Sequence, residues 1–448
     1  MKLKRHNLIM GLIAAGWAYL PLHSVAQTTD TGAQGQIWTY ERCVAHAVEN
    51  STEIRRNILA TLQADESVGS AKDAWLPSVG FSTSHNFANY PSREEGAKNN
   101  LYNSSYGINA AWTVWEGNVR KHRLQSAKLL RQQQELTGED LIKNLKLNIL
   151  QAYLDILYAK EAVEIAQKTL EVSSSQTERA RRLMESGRTS KVDYAQIESQ
   201  NAQDIYNVEQ SLANLSSARM NLKKLLMLGL NDSIETADIT FPDTEVLTPL
   251  PSRQTVYDFA ASWLPGFKSN ELNKEIYAND IKIAKAGYMP SITLQGGVST
   301  GYNNGGDGWG TQMRHGFNEN VGVTLSVPIY DGNATNRAVA KAKLAAMDYD
   351  ITRDELYEDL SRTIENLYIE ARNARAKYNA GITRLEATEL TATLVDRQFE
   401  LGLVNPLELL TAHNNLLNAR LEQLQNKYMA ILANKTINYY ATTEVSLP

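Results

Sequence analysis

The side chains most able to do chemistry do not form a recognisable catalytic or metal-binding set. The seven histidines are scattered without an HxxxH spacing, and Cys43 is the single cysteine, which excludes both a CxxC motif and an intramolecular disulfide. The glycine-rich GGDGWG (305–310) lies among polar residues, where it favours a turn over a phosphate cradle. Paired acids such as Glu94-Glu95 and Glu139-Asp140 are typical of solvated faces. We therefore expect no enzyme activity, no metal site and no cofactor.

The first residues and the overall charge indicate where the protein acts and which partners are not expected to bind it. Basic MKLKRHN, the short apolar run LIMGLIAAGWAYL and Ser24-Val25-Ala26 predict a secretory signal peptide over residues 1–26. The formal net charge of −5 and the lack of a dense basic patch disfavour nucleic-acid binding. An exported protein without a nucleic-acid partner follows from these two observations.

The rest of the sequence contains two copies of one unit. At a constant offset of 215 residues, GINAAWTVWEGNVRKHRLQSAK (107–128) aligns with GVTLSVPIYDGNATNRAVAKAK (322–343) without gaps. The same offset aligns ESGRTSKVDYAQIESQ with ELGLVNPLELLTAHNN further along. We assign residues 27–230 to the first repeat and 256–448 to the second. Between them, the proline-containing segment 231–255 is predicted to be a linker or equatorial segment.

Each copy is predicted to contain one very long helix. Residues 118–186 and 333–401 contain no proline and one glycine each, and apolar residues recur at alternating spacings of three and four. That rhythm is typical of a coiled-coil seam, and a helix of this length would extend roughly 100 Å. Gly187 and Gly402 end these helices, and second helices are expected at about 190–228 and 406–440.

The sequence therefore predicts two helical hairpins with tips at about 187–191 and 402–406. Shorter helices, about 40–74 and 256–287, are expected to lead into the two copies.

Strict apolar and polar alternation predicts a β-hairpin in each copy, at about 78–116 and 291–330. One face is apolar and the other carries Ser, Gly, Thr and Asn. A strand of about eleven residues, tilted by ~40°, spans a little under 30 Å, the height of a membrane-spanning barrel strand. We assign the apolar face to lipid contact, with four representative residues: Phe81, Trp112, Leu294 and Leu325. The alternative is a soluble sandwich that buries this face, and His85 is an exception on it.

Four strands cannot close around a lumen, and an open sheet edge is not stable in lipid. Three chains would supply twelve strands, an even number in the range of known barrels. The predicted fold class is therefore mainly α with a membrane β-barrel. Long α-helical coiled-coil hairpins and four strands per protomer would form, in a homotrimer, a 12-stranded barrel continuing into a periplasmic α-barrel.

The sequence resembles the TolC family of outer membrane efflux proteins over nearly the whole chain after residue 26. The resemblance rests on the paired LPSVGF and MPSITL, on VTLSVPIYDGN, and on the tips ESGRTSKVDY and ELGLVNPLEL. It implies a trimer in the outer membrane of a Gram-negative bacterium, with a large periplasmic portion. It also implies the exit duct of a tripartite efflux or type I secretion system. Such a duct passively conducts drugs, metals or proteins from a periplasmic adaptor (membrane fusion) protein and an inner-membrane pump of RND, ABC or MFS type.

The resemblance also implies a gate at the periplasmic constriction. Asp193 and Glu408 match acidic positions of that constriction. Thr411 stands where a second acid is expected, Phe399 replaces a tyrosine and Val404 replaces an arginine. Three symmetric copies of a carboxylate around the axis would repel one another, bind cations and respond to a docking partner. The alternative is that the acids only favour the first turns of their helices.

The two hairpin tips are the predicted adaptor-docking sites, represented by Gly187, Arg188, Gly402 and Leu403. The alternative is an ordinary tight turn between helices. A competing function for the whole chain is a trimeric coiled-coil structural or adhesion protein of the cell surface without a pore.

Overall fold

The computed structural model describes residues 37–91, 99–445 and 447. The predicted signal peptide and the pair Glu94-Glu95 lie outside the described residues. The first copy consists of β1 (Ile37–Trp38), α1 (Tyr40–Asn50), α2 (Thr52–Asp73), β2 (Ser78–Asn89), β3 (Asn100–Glu116), α3 (Val119–Glu185) and α4 (Lys191–Leu225). The second part consists of β4 (Glu235–Thr236), α5 (Asp243–Val246), α6 (Arg253–Trp263), α7 (Pro265–Lys285), β5 (Ser291–Asn303), α8 (Trp309–His315), β6 (Asn318–Ser326), α9 (Ala334–Glu400) and α10 (Pro406–Thr442).

The two long helices are present and equal in length, since α3 and α9 contain 67 residues each. Both are preceded by a Gly-Asn pair in the left-handed conformation, Gly117-Asn118 in the first copy and Gly332-Asn333 in the second. Each long helix packs antiparallel against its successor, α3 against α4 and α9 against α10. The predicted helical hairpins are confirmed.

The shorter helices differ from prediction, because each expected single helix is two. Ser51 separates α1 from α2, and its hydroxyl accepts a hydrogen bond from the Ile54 backbone N–H at 3.4 Å, as an N-cap residue does. Leu264 separates α6 from α7 because it precedes Pro265, and a residue before proline disfavours the helical conformation. The predictions 40–74 and 256–287 as uninterrupted helices were therefore wrong.

The four strands of the two β-hairpins form one antiparallel sheet in the order β2-β3-β5-β6. Directly opposed residues share a face, so the register tests the predicted alternation. Phe81 lies opposite Ile108, which lies opposite Val298, and Trp112 lies opposite Leu294. The intervening residues, Ser82 with Gly107 and Ser299 among them, form the small polar face. On β6, Leu325 and Val323 lie opposite Ile292 and Leu294 and continue the apolar face, whereas Glu319, opposite Val298, is a charged exception on it.

Two details of the sheet differ from the sequence expectation. Strand β6 ends at Ser326, short of the predicted 330, because Pro328 has no backbone N–H to continue the ladder. The connection from β5 to β6 contains a turn at the start of GGDGWG, as predicted, and then the short helix α8, which was not predicted.

The helices that continue from the strands keep the order of the sheet. Helix α2 leads into β2 and packs against α3, which follows β3. Helix α3 packs in turn against α7, which leads into β5, and α7 packs against α9, which follows β6. The sheet and this helix layer therefore have the same two edges, β2 with α2 and β6 with α9.

The segment 231–255 is packed against the helices. Strand β4 pairs in parallel with β1, and Phe241 and Val246 are buried in the core with helices α3 and α10. The Tyr378 hydroxyl donates to Asp243, and Asn434 donates to the Val246 carbonyl at 3.2 Å. These contacts fix the segment against α3, α9 and α10. No helix among the residues described here has both the length and the hydrophobicity to cross a membrane.

Candidate functional site

The two hairpin tips have the same backbone geometry, which begins with a glycine. Gly187 and Gly402 adopt φ values of 75° and 74°, in the left-handed region where a Cβ is strained. At the first tip, the N–H of Arg188 donates to the Leu183 carbonyl at 2.8 Å. At the second tip, the N–H of Leu403 donates to the Gln398 carbonyl at 2.9 Å. These are the bonds of a Schellman motif, which satisfies the last carbonyls of a helix.

The returning helices begin three residues later with side-chain caps. The Ser190 hydroxyl accepts from the Asp193 N–H at 3.0 Å, and the Asp193 carboxylate accepts from the Ser190 N–H at 3.3 Å. This reciprocal pair is a capping box, and the Thr189 hydroxyl also donates to Asp193 at 3.3 Å. In the second copy the Asn405 side chain accepts from the Glu408 N–H at 3.0 Å.

The two candidate gate acids therefore occupy the same helix position but differ in their surroundings. The Asp193 carboxylate is half-buried and accepts hydrogen bonds from its own turn. The Glu408 side chain is exposed, and within the described part of the chain its carboxylate has no donor or cation as a partner. The Asp193 carboxylate caps the start of α4, whereas the Glu408 carboxylate remains available to solvent, a cation or another subunit.

The remaining candidate gate residues face different ways. Phe399 and Val404 pack on Val395, Leu409 and Ala412 inside the hairpin of α9 and α10. Phe399 and Val404 thus form an apolar contact within one hairpin. Thr411 is exposed, and its hydroxyl donates to the Leu407 carbonyl at 2.7 Å in its own helix.

Polar contacts between the two hairpins were missed by sequence reasoning. Gln176 of α3 donates to Asp396 of α9 at 3.0 Å, and the imidazole Nε2 of His413 on α10 lies 2.8 Å from the same carboxylate. Closer to the tips, Arg179 and Glu400 form an ion pair at 2.8 Å. No local signal in the sequence pairs these residues, because the partners belong to different copies of the repeat.

The tips present exposed side chains of mixed character. Arg188 and Leu403 are exposed at the turns themselves. Beside them, a groove of about 710 Å³ lies between α4 and α10, with Val192 and Leu407 on its walls. An exposed apolar side chain at the end of a hairpin, next to a groove, is a surface that a helical partner can cover.

The apolar face of the sheet is the second candidate functional surface. Phe81, Trp112 and Leu325 are exposed and Leu294 is half-buried, all on the one face that the strand register defines. His85 lies on this face as expected and is hydrogen-bonded through Nδ1 to the Tyr102 hydroxyl at 2.7 Å. Within the described residues, no group of three or more His, Cys, Asp or Glu side chains could hold a metal ion.

Comparison with known proteins agrees with this architecture. The family model described as "Outer membrane efflux protein" matches residues 44–226 and 265–439, more than half of the chain. The outer membrane efflux protein BepC of Brucella suis is 20% identical over 408 residues, covering 91% of this chain and 86% of BepC. The outer membrane protein TolC of Vibrio cholerae is 23% identical over 401 residues and 86% of each chain.

A solved structure of CusC is similar in fold, with a TM-score of 0.76 at 16% identity, over 89% of this chain and 91% of that one. The family match covers most of both repeats, and it agrees with the duplicated sequence, the order of the strands and the paired helical hairpins. The chain therefore belongs to the outer membrane efflux protein family, a family of outer membrane channels and not of enzymes.

Proposed function

We propose that this protein is the exit duct of a tripartite efflux or type I secretion system. A single observation carries the proposal: one sheet has a mainly apolar face, with His85 and Glu319 as exceptions, and an opposite face of small polar residues. Its edges β2 and β6 have no strand neighbour among the described residues. Unpaired edges are not stable in lipid, so closure requires further copies of the chain. Three copies give a barrel of twelve strands with the polar face lining the lumen.

The long helices continue the duct into the periplasm. Helices of 67 residues extend about 100 Å at ~1.5 Å per residue, the length scale of a tunnel across much of that compartment. A conduit without a catalytic centre takes its cargo from a partner. The tips around Gly187, Arg188, Gly402 and Leu403 are the docking sites for a periplasmic adaptor, which joins the duct to an inner-membrane pump for drugs, metals or proteins.

The tips also form the gate in this proposal. Three copies of Glu408, whose carboxylate has no partner within one described chain, form an acidic ring at the entrance. Asp193 contributes a second ring while it caps α4. Phe399 and Thr411 border this region from α9 and α10.

Substitutions on opposite faces of one strand test the membrane assignment. Phe81→Asp and Leu294→Asp place a charge toward lipid, and the adjacent Ser82→Asp and Gln295→Asp place it toward the lumen. A lipid-facing charge at mid-membrane costs ~2–4 kcal/mol for Arg or Lys and less for Asp, whereas a luminal charge is hydrated. The first pair is expected to lower the amount of protein in the urea-resistant outer membrane fraction, and the second pair to leave it unchanged. Equal insertion of both pairs would contradict the proposed barrel.

A further inference from the structure

The apolar face of the sheet carries two ionisable side chains, and both lie on its edge strands. Among the described residues of the sheet, His85 on β2 and Glu319 on β6 are the only Asp, Glu, His, Lys or Arg side chains on that face. The inner strands β3 and β5 have none there. Because ionisable groups that face lipid are costly and are usually paired, these two residues are candidates for a specific contact.

Within one protomer the two side chains have unequal surroundings. His85 Nδ1 lies 2.7 Å from the Tyr102 hydroxyl and Nε2 lies 3.2 Å from the Thr83 hydroxyl, so the ring is held on the face by its own hairpin. Glu319 is exposed, and among the described residues its carboxylate has no hydrogen-bond donor or cation as a partner. Strands β2 and β6 are three strand spacings apart, ~14 Å at ~4.8 Å each, so His85 and Glu319 do not meet within one protomer.

The lengths of the edge strands restrict how β6 of one copy can pair with β2 of the next. Strand β6 has nine residues and β2 has twelve, so four antiparallel registers pair every residue of β6. A shift by one residue moves the side chains to the opposite face, so only two of the four registers align the apolar face of β6 with that of β2.

Both of these registers bring Glu319 next to His85. In the first, which we call the direct register, Glu319 lies opposite His85. In the second, the diagonal register, Glu319 lies opposite Phe87 and diagonal to His85. Residues in either relation on one face of an antiparallel pair are close enough for long side chains to touch.

We infer that the His85 imidazole of one copy and the Glu319 carboxylate of the next form a hydrogen-bonded pair on the lipid face of the barrel. The inference rests on the proposed function, because closure of the sheet through further copies brings β6 and β2 together. The Tyr102 hydroxyl donates to Nδ1, and the Nε2–H then donates to the carboxylate in place of its contact with the exposed Thr83 hydroxyl. The pair joins two subunits and gives Glu319 the partner that its own protomer does not supply.

Disulfide cross-linking measures the register in the full-length protein. In a Cys43→Ala background, Thr83→Cys with Val321→Cys reports the direct register, and Thr83→Cys with Val323→Cys reports the diagonal register. A disulfide requires Cα atoms within about 7 Å, so each link must join two copies. One of the two pairs is expected to give covalent dimers and trimers that dithiothreitol returns to monomers. Thr83→Cys with Gly322→Cys, whose thiols lie on opposite faces, is the matched control and should remain monomeric.

Paired substitutions measure the contact itself, as the rate at which the detergent-purified trimer dissociates in SDS. His85→Phe leaves Glu319 unpaired against lipid and is expected to speed dissociation about threefold or more, the scale of a polar contact in a membrane protein. With Glu319→Leu already present, no carboxylate is left unpaired, so His85→Phe should not speed dissociation. The control is Phe81→Leu, on the same face of β2 but neither opposite nor diagonal to Glu319 in the two registers. Its effect should be equal with and without Glu319→Leu.

Native mass spectrometry of the detergent complex distinguishes failure of the pair from failure of the duct. If the complex has the mass of three chains and His85→Phe has the same effect with and without Glu319→Leu, the pair is overturned and the duct stands. Three chains without a disulfide in either test pair would overturn the two registers and with them the pair. A complex with the mass of one chain would overturn both the pair and the duct.

Discussion

Substitutions of Glu408 and Asp193 distinguish a carboxylate proposed to act in gating from one that caps a helix. The two residues occupy equivalent helix positions but have different surroundings. Glu408→Gln removes a charge that has no partner within the described protomer and keeps the side chain's size. Asp193→Ala removes a charge together with the acceptor of the Ser190 capping box. Glu408→Gln is therefore expected to change ion conduction, whereas Asp193→Ala is expected mainly to change the local stability of the tip.

The magnitude for Glu408 follows from the symmetry of a trimer. If three carboxylates lie at ~6 Å from one another, at an effective dielectric near 20, each pair repels by ~3 kcal/mol. That repulsion raises the affinity of the ring for a divalent cation, which lies near all three charges. Glu408→Gln is thus expected to weaken block by a divalent cation at least tenfold, since ~1.4 kcal/mol corresponds to a factor of ten.

For Asp193→Ala the expected change is mainly in the tip. Loss of a capping interaction costs ~1 kcal/mol, which corresponds to about fivefold faster local hydrogen exchange at the start of α4. Glu408→Gln should leave exchange at the start of α10 nearly unchanged, because the Asn405 side chain still accepts from the backbone N–H of residue 408.

Single-channel recording in planar bilayers, with and without Mg²⁺, measures the first effect, and hydrogen exchange by mass spectrometry measures the second. A Glu408→Gln channel with the conductance and divalent block of the unmodified protein would refute its gate assignment. If Asp193→Ala were silent in the same recordings while its tip exchanged faster, Asp193 would be a capping residue alone.

Three further predictions concern the fold around the duct. Gly187→Ala should destabilise the tip by about 1 kcal/mol because residue 187 has a positive φ. Gly69 lies within α2 with open space around it, so Gly69→Ala should stabilise the protein by a similar amount. Thermal unfolding in detergent measures both changes. Tyr428→Phe leaves the Glu161 carboxylate without its 2.6 Å hydrogen bond, so we expect about 1–3 kcal/mol lower stability, against almost no change for exposed Tyr206→Phe. Burial raises the pKa of the Cys43 thiol to about 12, so N-ethylmaleimide should label it only after unfolding, and labelling of the native protein would contradict its burial.

Much of the architecture was predictable because local sequence patterns indicate its helices, strands and turns, and the same patterns occur in both copies. The absence of proline over residues 118–186 and 333–401 predicted α3 and α9 to within a residue or two at each end. Alternation after Pro77 and Pro290 predicted which side of each strand is apolar, since the period of a strand is two. Gly187 and Gly402 predicted where the hairpins turn, and both have the positive φ that favours glycine.

Other features depended on contacts that no single segment encodes. Pro265 was a local signal for the break at Leu264, but the break at Ser51 depends on a serine cap that an uninterrupted helical pattern obscures. The Gln176–Asp396–His413 contact joins residues more than two hundred positions apart in different copies. The packing of the partly buried Phe399 against Leu409 likewise depends on how α9 and α10 pack together.

Single-channel conductance of the purified, full-length protein in a planar lipid bilayer tests the central claim most directly. A trimeric duct predicts discrete conductance steps. A Leu325→Asp variant on the lipid face should produce them less often because it inserts less well, while Thr324→Asp on the luminal face should retain them with altered ion selectivity. Protein that inserts into the bilayer but never produces a conductance step would contradict the account, because a sheet closed around a polar face must leave a path for ions.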